Sequence, residues 1–568
     1  MEMATHFALL LLVALSASSI LKPSMAMFLS IDCGATYNET FPVNYINWTS
    51  DGEYVHTGES RVVDRNRSTD PVMNTLRVFP KLKKNCYTFP LRQGERVLVR
   101  ASFYYGNYDG LDSPPTFELQ FDGNYWATVN MSKAYLSNPL FGEAIYDVKG
   151  NSTSICVAQT LPNQIPFINA IEVRSLGSNM YSQVDSDHAL IMKGRFSECV
   201  SLGGLVRYPY DEYDRTWITS SIFGGTCVRN EAASVDANTT EDIPPQIVLQ
   251  MASLAQSTSY YIDLFPRVRD EVLPIYINLY FSEVALLNAT ERRSFQVYVN
   301  NKTYSDPIIP PYQSTYEAYI TNVTAASINY LALVPTPDST LPPLINAFEV
   351  YTVTELADGT YSKDVEGLLV LQKSFELLKN WTGDPCLPSP YAWEWVQCNT
   401  STFTPRVIAL DLSGFGLSGS LPDFGSMDAL QTIDLSYNHL SGPVPDFMTN
   451  SFPNLKLLDL SYNQFTGNIP PIYGASNMSI FFNNNCPFGN PCPNTSVLPP
   501  PRPSSTTPPP PPPSRPSSGS LEYLSFIISG QQQPITSGSN KRAEKLPLFL
   551  GATIQISLLL LLRNFNHE

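Results

Sequence analysis

The sequence predicts a mainly β protein, with two tandem β-sandwiches, then a short capped solenoid, then a Pro-rich stalk. Three observations carry this. Short runs of Val, Ile, Tyr and Phe at period two, as in Val97–Phe103, are broken by Gly, Pro, Asn and Asp. Ile168-Asn169-Ala170-Ile171-Glu172-Val173 recurs as Ile345-Asn346-Ala347-Phe348-Glu349-Val350, an offset of 177 residues, and the strand-like pairs Val97–Phe103 and Tyr276–Phe281 repeat at an offset of 178. From Val407 a spacing of LxxLxLxxNxLxGxxP appears, the signature of stacked leucine-rich repeats.

The N-terminal 1–26 reads as a signal peptide. Phe7–Leu15 is its apolar core and Ser24-Met25-Ala26 its small-residue cleavage site; the run is too short to span a bilayer. The chain carries 35 Lys+Arg against 51 Asp+Glu, a net charge of -16, which argues against nucleic acid as a partner. N-x-S/T sequons stand at Asn38, Asn47, Asn66, Asn130, Asn151, Asn238, Asn288, Asn301, Asn322, Asn380, Asn399, Asn477 and Asn494, and a secreted chain is expected to carry glycans on such exposed loops. The nine cysteines include no CxxC, so disulfides are expected, and the odd count leaves at least one thiol free or paired with another chain.

The duplication divides the first two thirds into a sandwich over 28–176, a linker over 177–195 and a second sandwich over 196–353. Ser30-Ile31-Asp32-Cys33-Gly34, Thr75–Pro80 and Asn85–Pro90 mark the first copy. Arg207–Asp211 and Tyr213-Asp214-Arg215-Thr216-Trp217 mark the second. This set, in this order, resembles the tandem malectin-like region of plant receptor-like kinases. The resemblance implies two sandwiches side by side and recognition of a carbohydrate or a peptide.

Residues 361–406 read as an N-terminal cap. Asp364–Asn380 has helical periodicity, and Gly383-Asp384-Pro385-Cys386 is followed by Trp393, Trp395 and Cys398. Repeats fill 407–485, with Phe415 where the first ladder Asn belongs, and 486–492 is the far cap. Cys386–Cys398 and Cys486–Cys492 are the expected pairs, from loop length and position. The Gly-Asp-Pro-Cys element between these regions resembles the ectodomain of symbiosis receptor-like kinases and their relatives. No Gly-rich loop or kinase motif follows, so no catalytic residue, cofactor or metal is expected. Residues 494–536 form a Pro/Ser-rich stalk. Residues 537–568 read as a glycolipid-anchor signal with Ser537, Gly538 and Ser539 at the attachment site; a single transmembrane helix over the apolar run Leu546–Leu562 is the alternative.

Two clusters are candidate ligand contacts. Tyr104, Tyr105 and Tyr108 flank a Gly-containing turn, and Tyr280-Phe281 is expected at the matching place in the second copy, where malectin has a sugar-contacting Tyr-Phe pair. Both clusters also have the composition of a sandwich core. Arg77, Lys81, Lys83 and Lys84 form a basic group, read as a solvated edge or a contact for an anionic wall polysaccharide. The acidic pairs Asp109/Asp112 and Asp185/Asp187 are read as turn residues rather than a calcium site. The functional expectation is a membrane-attached recognition protein on the extracellular face of the plasma membrane, with a carbohydrate or peptide ligand and a membrane receptor kinase as partners. The alternative is a structural wall-associated glycoprotein.

Overall fold

A computed structural model describes residues 26–482 and 526–527, apart from 38–39, 69, 132–138, 201–204, 221–224, 257–261, 264–272, 325–327, 329–330 and 467–478. The protein is mainly β. Its largest sheet contains Phe28–Asp32 (β1), Phe41–Val43 (β2), Ile46–Ser50 (β3), Arg96–Phe103 (β4), Leu140–Asp147 (β5), Ala170–Ser175 (β6), His188–Glu198 (β7), Pro274–Phe281 (β8), Tyr316–Thr324 (β9) and Ala347–Glu355 (β10). Their order is β2-β3-β1-β6-β4-β5-β7-β10-β8-β9, so one sheet runs through both copies. The join is made by β5 and β7, with Ala144 opposite Ile191 and Ile145 opposite Leu190. The linker expected over 177–195 is therefore shorter, because its second half is strand; within the apolar run Ala189–Met192, Leu190 and Ile191 pair on both sides.

Each copy closes over its own core with a smaller sheet. In the first this sheet is Lys84–Pro90, Ser152–Gln159, Thr116–Phe121 and Asn124–Asn130 in that order. In the second it is built around Leu331–Pro335 and Phe295–Val299. Period-two alternation explains why β4 is buried on both faces. Val97, Val99, Ala101 and Phe103 enter the first core. Leu98 joins a separate cluster with Tyr181, Tyr276 and Tyr351 between the copies. Arg100, on that same face, enters a buried charge network.

The duplication is exact enough to be read in single side chains. Asn169 accepts from the Tyr104 N–H at 2.7 Å and donates to the carbonyls of Met73 and Thr75 at 3.3 and 2.9 Å. Asn346 accepts from the Ser282 N–H at 2.7 Å and donates to Leu249 and Met251 at 3.0 and 2.9 Å. A buried amide that satisfies three backbone groups where strands part is costly to replace, which accounts for its place in both copies.

Behind the second sandwich comes the helix Ser362–Ser374 (α1), with a 3-10 turn over Glu376–Asn380. The repeats follow in parallel register, Leu410 beside Ile433, Leu458 and Ile480. Asn438 donates to Leu412 O at 2.8 Å and accepts from Leu417 N at 2.9 Å; Asn463 reaches back to Leu435 O and Leu440 N in the same way. At the first rung Phe415 replaces Asn and packs on Trp381 of the cap, ring centroids 5.9 Å apart. No helix among the described residues is long and apolar enough to cross a membrane.

Candidate functional site

The four residues Gly383-Asp384-Pro385-Cys386 lie where the cap meets the smaller sheet of the first sandwich. Cys86 and Cys156 face each other across two strands of that sheet and are bridged. Gly383 has φ +75° and presses on this disulfide; a Cβ there would sit 2.5 Å from Cys86 Sγ. Glycine alone satisfies both the backbone sign and the space. Asp384 gathers four donors. Its Oδ1 accepts from the N–H groups of Cys386 and Leu387 at 2.9 and 2.8 Å and from Thr360 Oγ1 at 2.6 Å, and its Oδ2 accepts from Thr360 N at 2.7 Å. Pro385 offers its carbonyl to Trp393 N at 2.9 Å, and Cys386 is bridged to Cys398 as expected.

The sandwich answers with its own groups. Lys84 is buried and donates from Nζ to the carbonyls of Asp384 and Leu387 at 2.6 and 2.8 Å. Burial pushes its pKa down to about 8 against the pull of Asp384 and Glu394. Lys83 N–H donates to Glu394 Oε1 at 3.0 Å, and Thr382 Oγ1 to Cys86 O at 3.0 Å. The expected basic group is thus divided. Lys84 is inside this seam, Arg77 is ion-paired to Asp51 at 2.6 Å, and only Lys81 and the Lys83 side chain stand in solvent.

Beside the seam opens a cleft of about 560 Å³. Phe121 and Tyr146, stacked 4.4 Å apart, line it with Leu356, Leu369 of α1 and Trp381. Asp122 supplies a carboxyl. Burial pushes its pKa up to about 6, although Ser154 N–H and Thr153 Oγ1 donate to it at 2.6 and 2.8 Å. Aromatic and apolar side chains beside the carboxyls of Asp122, Asp147, Asp358 and Asp384 suit a small polar ligand with an apolar face.

The aromatic candidates lie elsewhere, and the structure corrects their expected role. Tyr280 and Phe281 are fully buried. Tyr280 donates its hydroxyl to Glu349 Oε2 at 2.7 Å, and Phe281 packs on Phe295 at 5.2 Å. Tyr104 and Tyr105 are buried too, and Tyr108, half-buried, packs with Tyr105 around Phe167. None of these four buried rings offers a face to a ligand. Nor do the clusters match each other: Ala170 is opposite Ser102 and Ala347 opposite Tyr280, so Tyr280 corresponds to Ser102 and Phe281 to Phe103. The alternating strand that suggested a binding pair instead directs Phe281 into the core and Tyr280 onto a buried carboxylate.

Asp109 and Asp185 accept from backbone N–H groups two residues on, the turn role expected of them. Cys199 and Cys227 form a further disulfide, and among the described residues Cys33 is a free thiol, buried. Of the sequons, Asn47, Asn66, Asn151, Asn238, Asn288, Asn301, Asn322 and Asn399 are exposed, and Asn130 and Asn380 are half-buried. Asn38, Asn477, Asn494, the Cys486–Cys492 pair, the far cap and Ser537, Gly538 and Ser539 lie outside the described residues. Sequence reasoning singled out the Gly-Asp-Pro-Cys element but missed its docking surface. The signal was present in Lys84 and Cys86, yet nothing local ties them to residues some 300 positions away.

The malectin-like domain family matches residues 31–353, and the leucine-rich repeat family matches 429–451 and 454–475. Among curated proteins, a probable LRR receptor-like serine/threonine-protein kinase of Arabidopsis thaliana is 33% identical over 433 residues, covering 72% of this chain and 47% of its own length. A second protein of that description and organism is 32% identical over 422 residues, covering 73% of this chain and 49% of its own. The chain spans about half the length of the curated relatives it matches. Among solved structures, the plant receptor-like kinase FER aligns at 20% identity and a TM-score of 0.48, over 58% of this chain and 97% of that one.

Proposed function

We propose a function from one plain premise: the chain belongs to the malectin-like domain family. It acts as the recognition region of a cell-surface receptor-like or co-receptor protein. It takes a cell-wall carbohydrate or a peptide ligand and engages a membrane receptor kinase. The receptor kinases among its relatives support this reading, since the segment they share with it is the sandwich and repeat region.

The observation that carries the proposal is the cleft beside the seam. It is walled by two domains that Gly383, Lys84 and Thr382 hold in fixed relation, and a preorganised cleft loses little free energy to ordering when a ligand binds. The test is a glycan-and-peptide array on the secreted protein, repeated with Leu369→Arg. Leu369 is 57% exposed on the cleft wall, so the charge blocks the cleft without disturbing the fold. A hit that weakens at least tenfold in the variant supports the reading. A hit unchanged by it moves recognition elsewhere, and capture of no ligand and no receptor kinase overturns it.

Attachment to the membrane through Ser537, Gly538 or Ser539 belongs to the same proposal. Release of the protein by phosphatidylinositol-specific phospholipase C supports it. Retention with Glu568 still present favours a single transmembrane helix.

A further inference from the structure

A second hollow lies on the same seam. Its volume is about 230 Å³, and its lining comes from His56–Glu59 and Pro80–Leu82 of the first sandwich and from Asn380 of the cap. Asn380 is the sequon asparagine of Asn380-Trp381-Thr382. It is half-buried, whereas eight of the other described sequon asparagines are exposed. It sits at the last position of a 3-10 turn. Across the hollow stand His56, Glu59 and Lys81, all exposed, together with the ring of Pro80 and the half-buried Leu82.

We infer that the N-glycan of Asn380 is an internal brace, its first N-acetylglucosamine filling this hollow and bridging the first sandwich to the repeat cap. The hollow has the two kinds of surface that this sugar needs. Pro80 and Leu82 offer an apolar face for a ring face, while His56, Glu59 and Lys81 can bond its hydroxyls and acetamido group. Timing is built into the motif. In the transfer, Asn380 Nδ2 bonds C1 of the sugar, the lipid diphosphate of the donor leaves with the C1–O electron pair, and one amide proton is released. That transfer needs an accessible sequon hydroxyl, and in the folded chain Thr382 Oγ1 is committed to Cys86 O at 3.0 Å. The sugar is therefore attached before the cap docks, and docking then encloses it.

The inference rests on the secretory-pathway part of the proposed function, and the experiment separates the two. The full chain is produced in plant suspension cells and digested natively with a peptide N-glycosidase. It is then denatured and mapped by mass spectrometry. The expected result is loss of the glycan from exposed Asn399, while Asn380 keeps its glycan at least tenfold longer. Hydrogen exchange at 56–59 and 80–82 is expected to rise in Asn380→Gln and to stay native in Asn399→Gln and in Thr382→Ser, which preserves the sequon. Three results overturn the brace: Asn380 bare while Asn399 is occupied, equal release at both sites, or native exchange in Asn380→Gln. If Asn380→Gln is not secreted, the native digestion decides alone. If no sequon is occupied, the secretory reading fails together with the brace.

Discussion

The two sandwiches share a frame and differ in what they do with its faces. Asn169 and Asn346 make the same three kinds of backbone bond, and Glu172 and Glu349 occupy equivalent places on β6 and β10. Around Glu172 stand arginines: Arg100 at 2.9 Å and Arg174 at 3.0 Å from the first copy, and Arg207 reaching over from the second. Around Glu349 stand Arg195 and three tyrosines, Tyr181, Tyr280 and Tyr351 at 3.1, 2.7 and 2.9 Å, Arg195 and Tyr181 coming from the segment that joins the copies. Glu143 links the halves, pairing with Arg100 at 2.8 Å and Arg195 at 2.6 Å. The outer sheets differ more. The first carries the Cys86–Cys156 bridge and the docked cap, while Asp263 opposite Ala332 and Ile262 opposite Leu333 occupy the corresponding strands of the second, with no bridge. Duplication kept the residues that serve backbone geometry and left charge partners and outer faces free to diverge.

The sharpest break in that comparison is Glu349→Ala. Burial pushes this carboxyl up, but Arg195 and Arg215 hold it below the usual carboxylate range, so it is charged. Its removal strands buried Arg195, and a loss of roughly 4 kcal/mol is expected in chemical denaturation. A loss below 1 kcal/mol would show that Glu143 alone sustains Arg195.

Gly383→Ala tests the outer face that only the first copy uses. An alanine at φ +75° against Cys86 Sγ is expected to cost about 3 kcal/mol, from left-handed strain and the clash together. It should appear as a separate, earlier unfolding of the cap, read by hydrogen exchange at Lys84–Pro90. A single unchanged transition would mean the seam does not hold the cap.

Asn169→Ala and Asn346→Ala sharpen the shared frame. Each leaves two carbonyls and one N–H unsatisfied, and equal losses of about 2 kcal/mol are expected. Losses differing by more than the measurement error would deny that the two sites are equivalent.

The smallest effect concerns pH and only the second copy. Asn278 Nδ2 donates to both Asp242 and Glu317, the latter at 2.6 Å. Burial raises both carboxyls; Glu317 raises Asp242 further, while hydrogen bonds with Tyr319, Asp242 and Asn278 pull Glu317 part of the way back. Glu349, Tyr181, Tyr276, Tyr280, Tyr319 and Arg215 complete the surroundings. With folded pKa values above the unfolded ones near 4, this pair's stabilisation is fully present below about pH 4 and is lost as pH rises. The expected slope is at most about 1.4 kcal/mol per pH unit for each carboxyl. Asp242→Asn should flatten it, and a slope unchanged in that variant would assign the titration elsewhere.

Much of the architecture was legible because it is periodic. Alternation gave the strands, a repeated hexapeptide gave the duplication, and Leu spacing gave the solenoid with its missing Asn at Phe415. The Cys386–Cys398 pair followed from a short loop. The aromatic site was misread because a tyrosine in a strand looks alike whether its face meets ligand, core or a buried carboxylate. For Tyr280 that depended on Glu349, which lies far along the chain.

The sequence by itself determined the β class, the two copies, the repeats and the cysteine bridge of the cap, since each rests on spacing along one stretch of chain. The tertiary structure decided that one sheet crosses both copies, that Gly383 closes onto Cys86 and Cys156, and that Asn380 faces a hollow between domains. These depend on pairings between distant residues, and no local pattern records which surface a strand or loop will meet once the chain has closed.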